Sequence, residues 1–149
     1  MVKMMKAQIE DAPILLQIQK EAFIKYAKKY GDFESNPYHM DLHRMEFNIK
    51  YRYGQYYKIL DEKSLEMIGG IFCFELDEKP IMKIAQFYFK NGYQHLGYGT
   101  YVLNELFRLN ENVKTWYVDT IMQEEYNLEF YRHLGLSLIH ISEPTRPEP

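Results

Sequence analysis

Hydrophobic residues recur along this chain with two different periods, and the changes of period divide it into elements. Between residues 11 and 30 apolar side chains return every three or four positions, which predicts an amphipathic helix. Asp11 is suited to the N-cap, Pro13 is tolerated in the first turn, and Gly31 ends the helix after about Lys29. Residues 3–7 are predicted to form a short strand before this helix, and residues 32–37 a loop after it.

A second helix is expected over residues 39–50, with Leu42, Met45 and Ile49 on one face. Strand patterns then cover residues 55–60, 65–76 and 81–89, and the short connections between them predict an antiparallel meander. Gly69 and Gly70 mark a bulge or a close approach of backbones in the middle strand. The third strand is apolar at nearly every position, which is typical of a strand buried on both faces.

Helical spacing returns after residue 92. It predicts a helix over residues 98–109, which is followed by a strand at 113–122 and a last helix at 124–134. Gly135 is a suitable C-cap for that last helix. A strand, a helix and a strand in succession require a crossover, which makes the two strands parallel. The predicted fold class is therefore α+β, with a mixed central sheet of an antiparallel meander plus one βαβα unit, flanked by helices.

Length and composition limit the classes of protein to which the chain can belong. At 149 residues it is expected to form one domain, and 46% hydrophobic with 16% aromatic residues indicates a globular fold. A net charge of −3 argues against a nucleic-acid partner. No apolar run is long enough for a membrane span or a signal peptide, so the cytoplasm is the expected location.

The candidate metal ligands are too few to form a site. Cys73 is the one cysteine, which excludes an intramolecular disulfide and a multi-cysteine zinc site. His39 and His43 have a spacing that occurs at metal sites, but the sequence indicates no third ligand. We therefore expect no metal.

A glycine-rich segment between a buried strand and a helix is the strongest candidate for chemistry. Glycines let a backbone approach a ligand closely, and the N–H groups of a helix N-terminus favour a phosphate or pyrophosphate. A tight turn alone would also explain the glycines. Two other phosphate-binding motifs do not match. The dinucleotide-binding fingerprint requires a third glycine at the position of Val102, and a P-loop requires a lysine directly after Gly99. The segment consists of Gln94, His95, Leu96, Gly97, Tyr98, Gly99 and Thr100.

Residues 94–99 resemble the Gln/Arg-x-x-Gly-x-Gly/Ala signature of the GCN5-related N-acetyltransferases, the GNAT superfamily. The order of elements is similar to that of the family, and residues 130–135 resemble its Phe-Tyr-x-x-x-Gly segment. The resemblance covers residues 3–136 and defines a domain at 1–136, with a non-family tail at 137–149. It implies acetyl-CoA as co-substrate and direct transfer of the acetyl group to a primary amine in a ternary complex.

The resemblance also assigns roles to individual residues. Main-chain N–H groups of residues 94–100 would hold the CoA pyrophosphate, and the backbone of Phe87 and Phe89 would pair with the pantetheine arm. Tyr131 would protonate the departing thiolate, and Asn127, one turn earlier, would contact the cofactor. The acceptor, a small molecule or a peptide amine, is not identified, and a homodimer is left open.

Some positions depart from the family pattern. Glu124 stands where many members have an asparagine, and the central strand shows Lys83 and Ala85 where others place the base that deprotonates the amine. Glu75 and Asp119 are alternatives for that base, as is a water relay. A GNAT-like module that binds CoA or acyl-CoA without turnover is therefore the competing interpretation.

The C-terminal tail does not fit the family, whose final strands are predicted to be missing. Residues 136–142 could form one strand, whereas three prolines in 143–149 prevent another. The segment 137–147 resembles a translated sequencing-adaptor read-through, so the tail is expected to be artefactual. The strand at 113–122 would then form an open edge of the sheet. A third interpretation of the chain is therefore a truncated fragment that does not fold stably.

Overall fold

A computed structural model describes residues 1–30, 40–76, 81–94, 96–118 and 137–138, with side chains outside 25–30 and 137–138. The strands and helices of this part of the chain follow one another as β1 (Val2–Lys6), α1 (Ala12–Tyr30), α2 (Leu42–Lys50), β2 (Gly54–Asp61), β3 (Met67–Glu75), β4 (Ile81–Phe89), α3 (Tyr98–Leu109), β5 (Thr115–Val118) and β6 (Ser137–Leu138).

The strands form one mixed sheet in the order β1-β2-β3-β4-β5-β6. Neighbours from β1 to β4 are antiparallel, whereas β4 and β5 are parallel, with α3 as the crossover between them. This confirms the α+β class and the meander. The short β6 pairs in parallel with Tyr117 and Val118, so the edge of β5 expected to stay open is covered at these two residues. The last helix predicted at 124–134 lies outside the described residues.

Two helices begin differently from the sequence prediction. A 3₁₀ turn, Ile9–Asp11, leads into α1, and the Asp11 carboxylate accepts the Gln8 N–H at 2.7 Å instead of capping α1. It also pairs with Lys58 of β2 at 3.0 Å. The α2 helix begins after Asp41, whose carboxylate accepts the Arg44 N–H at 2.8 Å.

The predicted apolar face of α2 is only partly covered by the core. Met45 and Asn48 are buried and Ile49 is half-buried, but Leu42 is 40% exposed. Leu42 is the first residue of the helix, at the end of the predicted face.

The helices cover opposite faces of the sheet. Tyr56, Phe72 and Tyr88 lie on the face that α1 covers. The Tyr88 ring packs against the ring of Phe23 of α1, with 6.3 Å between the ring centroids, and the Tyr56 ring stacks on Phe72. Gln55 is adjacent to Tyr56 and therefore points to the other face, where it pairs with Asn110 at the end of α3. Below, these are the α1 face and the α3 face.

The paired glycines of β3 are a site of close approach. A Cβ atom at Gly69 would lie 2.4 Å from the Tyr88 carbonyl oxygen of β4, and one at Gly70 would lie 2.5 Å from the Tyr88 hydroxyl. A shift of register between β2 and β3 falls next to them, since Ile59 pairs with Gly69 and Leu60 with Met67. Of the two alternatives predicted for this dipeptide, the close approach is confirmed, and the bulge lies at the preceding residue, Ile68.

We predict that Gly69→Ala lowers the free energy of unfolding by about 3 kcal/mol, because β3 and β4 must separate to admit the methyl group. Gly92→Ala is the control, since its Cβ would meet nothing within 4 Å and only its positive φ of 94° opposes the substitution. It should cost about 1 kcal/mol. Equilibrium urea unfolding measures both, and equal losses would contradict the close-approach argument.

Candidate active site

A β-bulge interrupts the central strand β4 at Ala85. Phe72 of β3 pairs with Gln86 and the next residue, Cys73, pairs with Ile84, which leaves Ala85 as the extra residue. On its other side β4 pairs with β5 from Ile81 to Ile84. The described pairing with β5 thus ends one residue before the bulge. A bulge bends its strand and increases the local twist, so β4 changes direction at Ala85.

The main-chain groups in this second half of β4 face β3 and the opposite side in turn. Hydrogen-bonded and non-hydrogen-bonded pairs alternate along an antiparallel ladder. Lys90 donates its N–H to the Ile68 carbonyl at 2.7 Å, so the main-chain groups of Tyr88 and Gln86 also face β3. Those of Phe87 and Phe89 therefore face the opposite side, on which β5 lies. This is the direction that their predicted contacts with a ligand require.

The glycine-rich segment follows at the carboxyl end of β4. Gly97 adopts φ 84° and ψ −2° immediately before α3, a left-handed conformation that glycine reaches without steric cost. The first N–H groups of a helix lack intrahelical acceptors, and here they belong to Tyr98, Gly99 and Thr100. The first turn of α3 contains no acidic residue, so the positive end of the helix dipole is not neutralised there.

Side chains fix this segment against β4. The Gln94 amide donates to the Phe89 carbonyl at 3.1 Å, and the Tyr98 ring packs against the Phe89 ring at 6.3 Å. Gly99 is buried, whereas Leu96 is 56% exposed. The Gln94 side chain thereby has a structural role that the sequence did not indicate, since only its main chain was assigned one.

The other end of α3 is anchored as well. Asn110 donates to the Leu106 carbonyl at 2.9 Å and to the Gln55 amide oxygen at 3.2 Å, while Gln55 donates back to Asn110 at 2.8 Å. The sequence predicted the end of this helix at residue 109 but no role for the Asn110 side chain. The reciprocal amide pair ties the helix to β2, and so keeps its N-terminus at a fixed place beyond β4.

The described structure brings part of the predicted site together. Phe87 and Phe89 lie on β4, and Gln94 and residues 96–100 lie at its carboxyl end. His95, Asn127 and Tyr131 lie outside the described residues, and so do Asp119 and Glu124. Their predicted roles stay predictions.

Of the alternatives for the base, Glu75 is the one that can be placed. It pairs with Met82, three residues before the bulge, and it lines a recess on the α3 face with Asn110 and Val113. At roughly 3.3 Å per residue, the bulge is about 10 Å further along the strand. Lys83 and Ala85 are buried, as expected for a central strand, and Lys83 is fully so. Glu75 is therefore poorly placed for a reaction at the bulge.

Cys73 is buried on β3 and is the one cysteine of the chain. Burial raises the pKa of its thiol well above the usual range, because the thiolate would have to form in an apolar environment. In this placement Cys73 packs as a small hydrophobic residue. Its burial and raised pKa make it a poor nucleophile.

The described residues lack two features that would change the picture of the site. They contain no helix long and apolar enough to cross a membrane. They also contain no group of three or more histidine, cysteine, aspartate or glutamate side chains arranged to hold a metal ion.

Comparisons with known proteins agree with this architecture. The sequence profile of the Acetyltransferase (GNAT) family matches residues 15–136. No curated protein matches the chain significantly.

Three solved structures are similar over nearly the whole chain. A tetramutant of the BH1408 protein from Bacillus halodurans has 15% identity and a TM-score of 0.74, and the alignment covers 99% of each chain. The putative acetyltransferase YycN from Bacillus subtilis has 12% identity and a TM-score of 0.70, with 100% of both chains covered. The aminoglycoside acetyltransferase meta-AAC0020, from an uncultured soil metagenomic sample and in complex with sisomicin, has 16% identity and a TM-score of 0.62, covering 99% of this chain and 91% of that one.

We predict that Gly97→Val lowers the free energy of unfolding by about 2 kcal/mol, because a β-branched residue is strained at φ 84°. Gly97→Asn should cost less, since asparagine tolerates the left-handed region. A Cβ atom there would meet nothing within 4 Å, so any loss comes from the backbone. Thermal unfolding measures the difference, and an asparagine variant as unstable as the valine variant would contradict the conformational argument.

A thiol reagent should react with Cys73 only when the protein unfolds. We expect negligible labelling by 5,5′-dithiobis(2-nitrobenzoate) at pH 8 without denaturant, and one equivalent in 6 M guanidinium chloride, which follows from the raised pKa and full burial of the thiol. Labelling of the native protein at the rate of a free thiol would show that Cys73 is accessible.

Proposed function

Because the chain belongs to the GNAT family of acetyltransferases, we propose that it transfers an acetyl group from acetyl-CoA to a primary amine. One observation carries the proposal. The main-chain groups of Phe87 and Phe89 point to the side of β5, and the N-terminus of α3 follows at the carboxyl end of β4. We infer that β4 and β5 separate beyond the bulge at Ala85, which leaves an opening between them. An extended ligand with a pyrophosphate at one end fits this arrangement, because its arm can pair with a strand and its phosphates can reach helix N–H groups.

In this proposal main-chain N–H groups of residues 94–100, His95 among them, hold the pyrophosphate of acetyl-CoA. The α3 dipole and the exposed, side-chain-free Gly97 favour close approach of an anion. The main-chain groups of Phe87 and Phe89, which face the opening, pair with the pantetheine arm as a neighbouring strand would. Asn127 is proposed as a further contact to the cofactor.

The acetyl group would then lie near the bulge, where main-chain donors polarise its carbonyl. The amine nitrogen attacks that carbonyl carbon, the new C–N bond forms, and the C–S bond breaks. The amine gives up a proton to water or to a base, and Tyr131 protonates the departing thiolate. A tyrosine hydroxyl and a thiol have comparable reference pKa values, which makes this proton transfer feasible.

Direct attack within a ternary complex is preferred to a two-step mechanism. A covalent route needs a reactive nucleophile that first accepts the acetyl group. The thiol of the one cysteine is buried, and its pKa is raised. A single transfer from the thioester to the amine needs no such group.

The acceptor is proposed only as a primary amine, on a small molecule or a peptide. The structure of the similar metagenomic acetyltransferase contains sisomicin. We therefore include sisomicin in a first screen of acceptor amines. A screen should also contain spermidine, a free amino acid, and a peptide with one α-amine and one lysine.

The competing function is binding of CoA or acyl-CoA without turnover. One observation favours it, namely that the fully buried Lys83 stands on β4 where related enzymes are expected to have a base. A binding module would share the opening and the helix N-terminus but would acetylate none of the amines.

Titration calorimetry should find one binding site for acetyl-CoA. Gly97→Val should weaken the affinity for acetyl-CoA at least tenfold, because it should disturb hydrogen bonds to the pyrophosphate and each hydrogen bond to a charged group contributes about 1.5–3 kcal/mol. Gly92→Val is the matched control, since its φ of 94° imposes a similar strain outside the segment at 94–100. Equal affinity in both variants would contradict the assigned phosphate site. Absence of binding by the folded wild type would reject the function.

Tyr131→Phe should lower kcat for the best amine of the screen about 100-fold or more, the usual contribution of a general acid, and should leave the acetyl-CoA affinity unchanged. Tyr101→Phe, on the exposed side of α3, is the control and should have full activity. Unchanged turnover in Tyr131→Phe would reject Tyr131 as the acid, whereas saturable acetyl-CoA binding without acetylation of any amine would favour the binding module.

A further inference from the structure

A tight turn separates β4 from the glycine-rich segment, and its two central residues are Asn91 and Gly92. Tyr93 donates its N–H to the Lys90 carbonyl at 3.0 Å, which closes the turn. Gly92 has φ 94°, whereas Asn91 has a negative φ, since Leu65 is the one described non-glycine residue with a positive φ. A positive φ at the third residue alone is typical of a type II turn, which favours glycine at that position.

The Asn91 side chain is open to attack by its own main chain. Asn91 is the one asparagine of the chain that precedes a glycine, so no following side chain shields the next amide nitrogen. Both residues are exposed, and in the described structure no hydrogen bond holds the Asn91 side chain or the Gly92 N–H. A Cβ atom at Gly92 would meet nothing within 4 Å, so the turn has room to change its conformation.

We propose that Asn91 deamidates spontaneously in the folded protein and that the isoaspartate formed there weakens the binding of acetyl-CoA. The Gly92 nitrogen loses its proton to hydroxide and attacks Cγ of Asn91, and the new N–C bond closes a succinimide ring. The bond between Cγ and Nδ2 breaks, and ammonia leaves with a proton taken from water. A water molecule then opens the ring at either carbonyl, which gives aspartate or isoaspartate with a carboxylate in place of the amide.

Isoaspartate changes the path of the main chain directly before the proposed phosphate site. In this product the main chain runs through the former side chain and is longer by a methylene group. The extra group would lie within a loop that Gln94 closes by donating its side-chain amide to the Phe89 carbonyl at 3.1 Å. A longer main chain between these residues opposes that hydrogen bond, so residues 94–100 lose part of their attachment to β4. The effect on acetyl-CoA rests on the function proposed above, whereas the deamidation does not.

Incubation of the purified protein at pH 8, followed by tryptic peptide mapping, tests the modification. The peptide 91–108 contains Asn91 and also Asn104, an exposed residue of α3 that precedes Glu105 and is the internal control. We expect an aspartate and an isoaspartate form of this peptide to accumulate, with the change at Asn91 and not at Asn104. The rate should increase with pH, because the attacking group is a deprotonated amide nitrogen.

Two variants isolate the effect on acetyl-CoA. Asn91→Gln should block the modification, since attack by the Gly92 nitrogen would have to close a larger ring, and it should keep its affinity throughout the incubation. Freshly purified Asn91→Asp has the new charge without the longer main chain and should bind acetyl-CoA nearly as well as the wild type.

The isoaspartate form of the wild type is separated from unmodified protein by anion exchange, because it has an additional negative charge, and is identified by its peptide map. Titration calorimetry should then show about tenfold weaker binding of acetyl-CoA, the effect of one lost hydrogen bond to a charged group.

The outcomes separate this inference from the proposed function. Isoaspartate at Asn91 without change at Asn104, together with weaker binding by the modified form, supports it. Deamidation no faster at Asn91 than at Asn104 overturns it, and so does equal affinity of the modified and unmodified forms. An equal loss of affinity in incubated Asn91→Gln also overturns it. A fresh wild type that does not bind acetyl-CoA overturns the proposed function and the effect on binding, while the peptide map still decides the deamidation.

Discussion

The extra residue at Ala85 is the constraint on which the arrangement of this protein depends. Before it, β4 is an ordinary central strand that pairs with β3 and β5. After it, the strand keeps β3 as its partner, and the main-chain groups of Phe87 and Phe89 point to the other side. In the proposed function, an extended ligand takes the place of a neighbouring strand at this half of β4.

The opening is useful only if the helix beyond it is held in place, and α3 is anchored at both ends. At its start, Gln94 and Tyr98 attach the glycine-rich segment to Phe89. At its end, Asn110 and Gln55 exchange hydrogen bonds. Because these contacts reach different strands, a rotation of the helix would break at least one of them. The N–H groups of its first turn therefore keep one orientation relative to the end of β4.

The sequence predicts those features that depend on residues close in the chain. The bounds of β4 and α3 agree with the prediction because a nearly continuous apolar run, the glycine at 97 and the asparagine at 110 are all local signals. The bulge at Ala85 leaves no mark in the sequence, because it is a mismatch of register between two strands. The start of α2 was misplaced because Asp41 caps it instead of a residue further upstream.

The most direct test of this account is amide-resolved hydrogen exchange of the protein with and without saturating acetyl-CoA. If the arm pairs with β4 and the pyrophosphate lies at the start of α3, the amides of Phe89, Tyr98 and Gly99 will exchange more slowly in the complex. The amides of β1 and β2, on the far side of the sheet, will be unchanged. The account is contradicted if acetyl-CoA leaves the exchange rates at Phe89 and at the start of α3 unchanged. It is also contradicted if acetyl-CoA protects only amides of other strands.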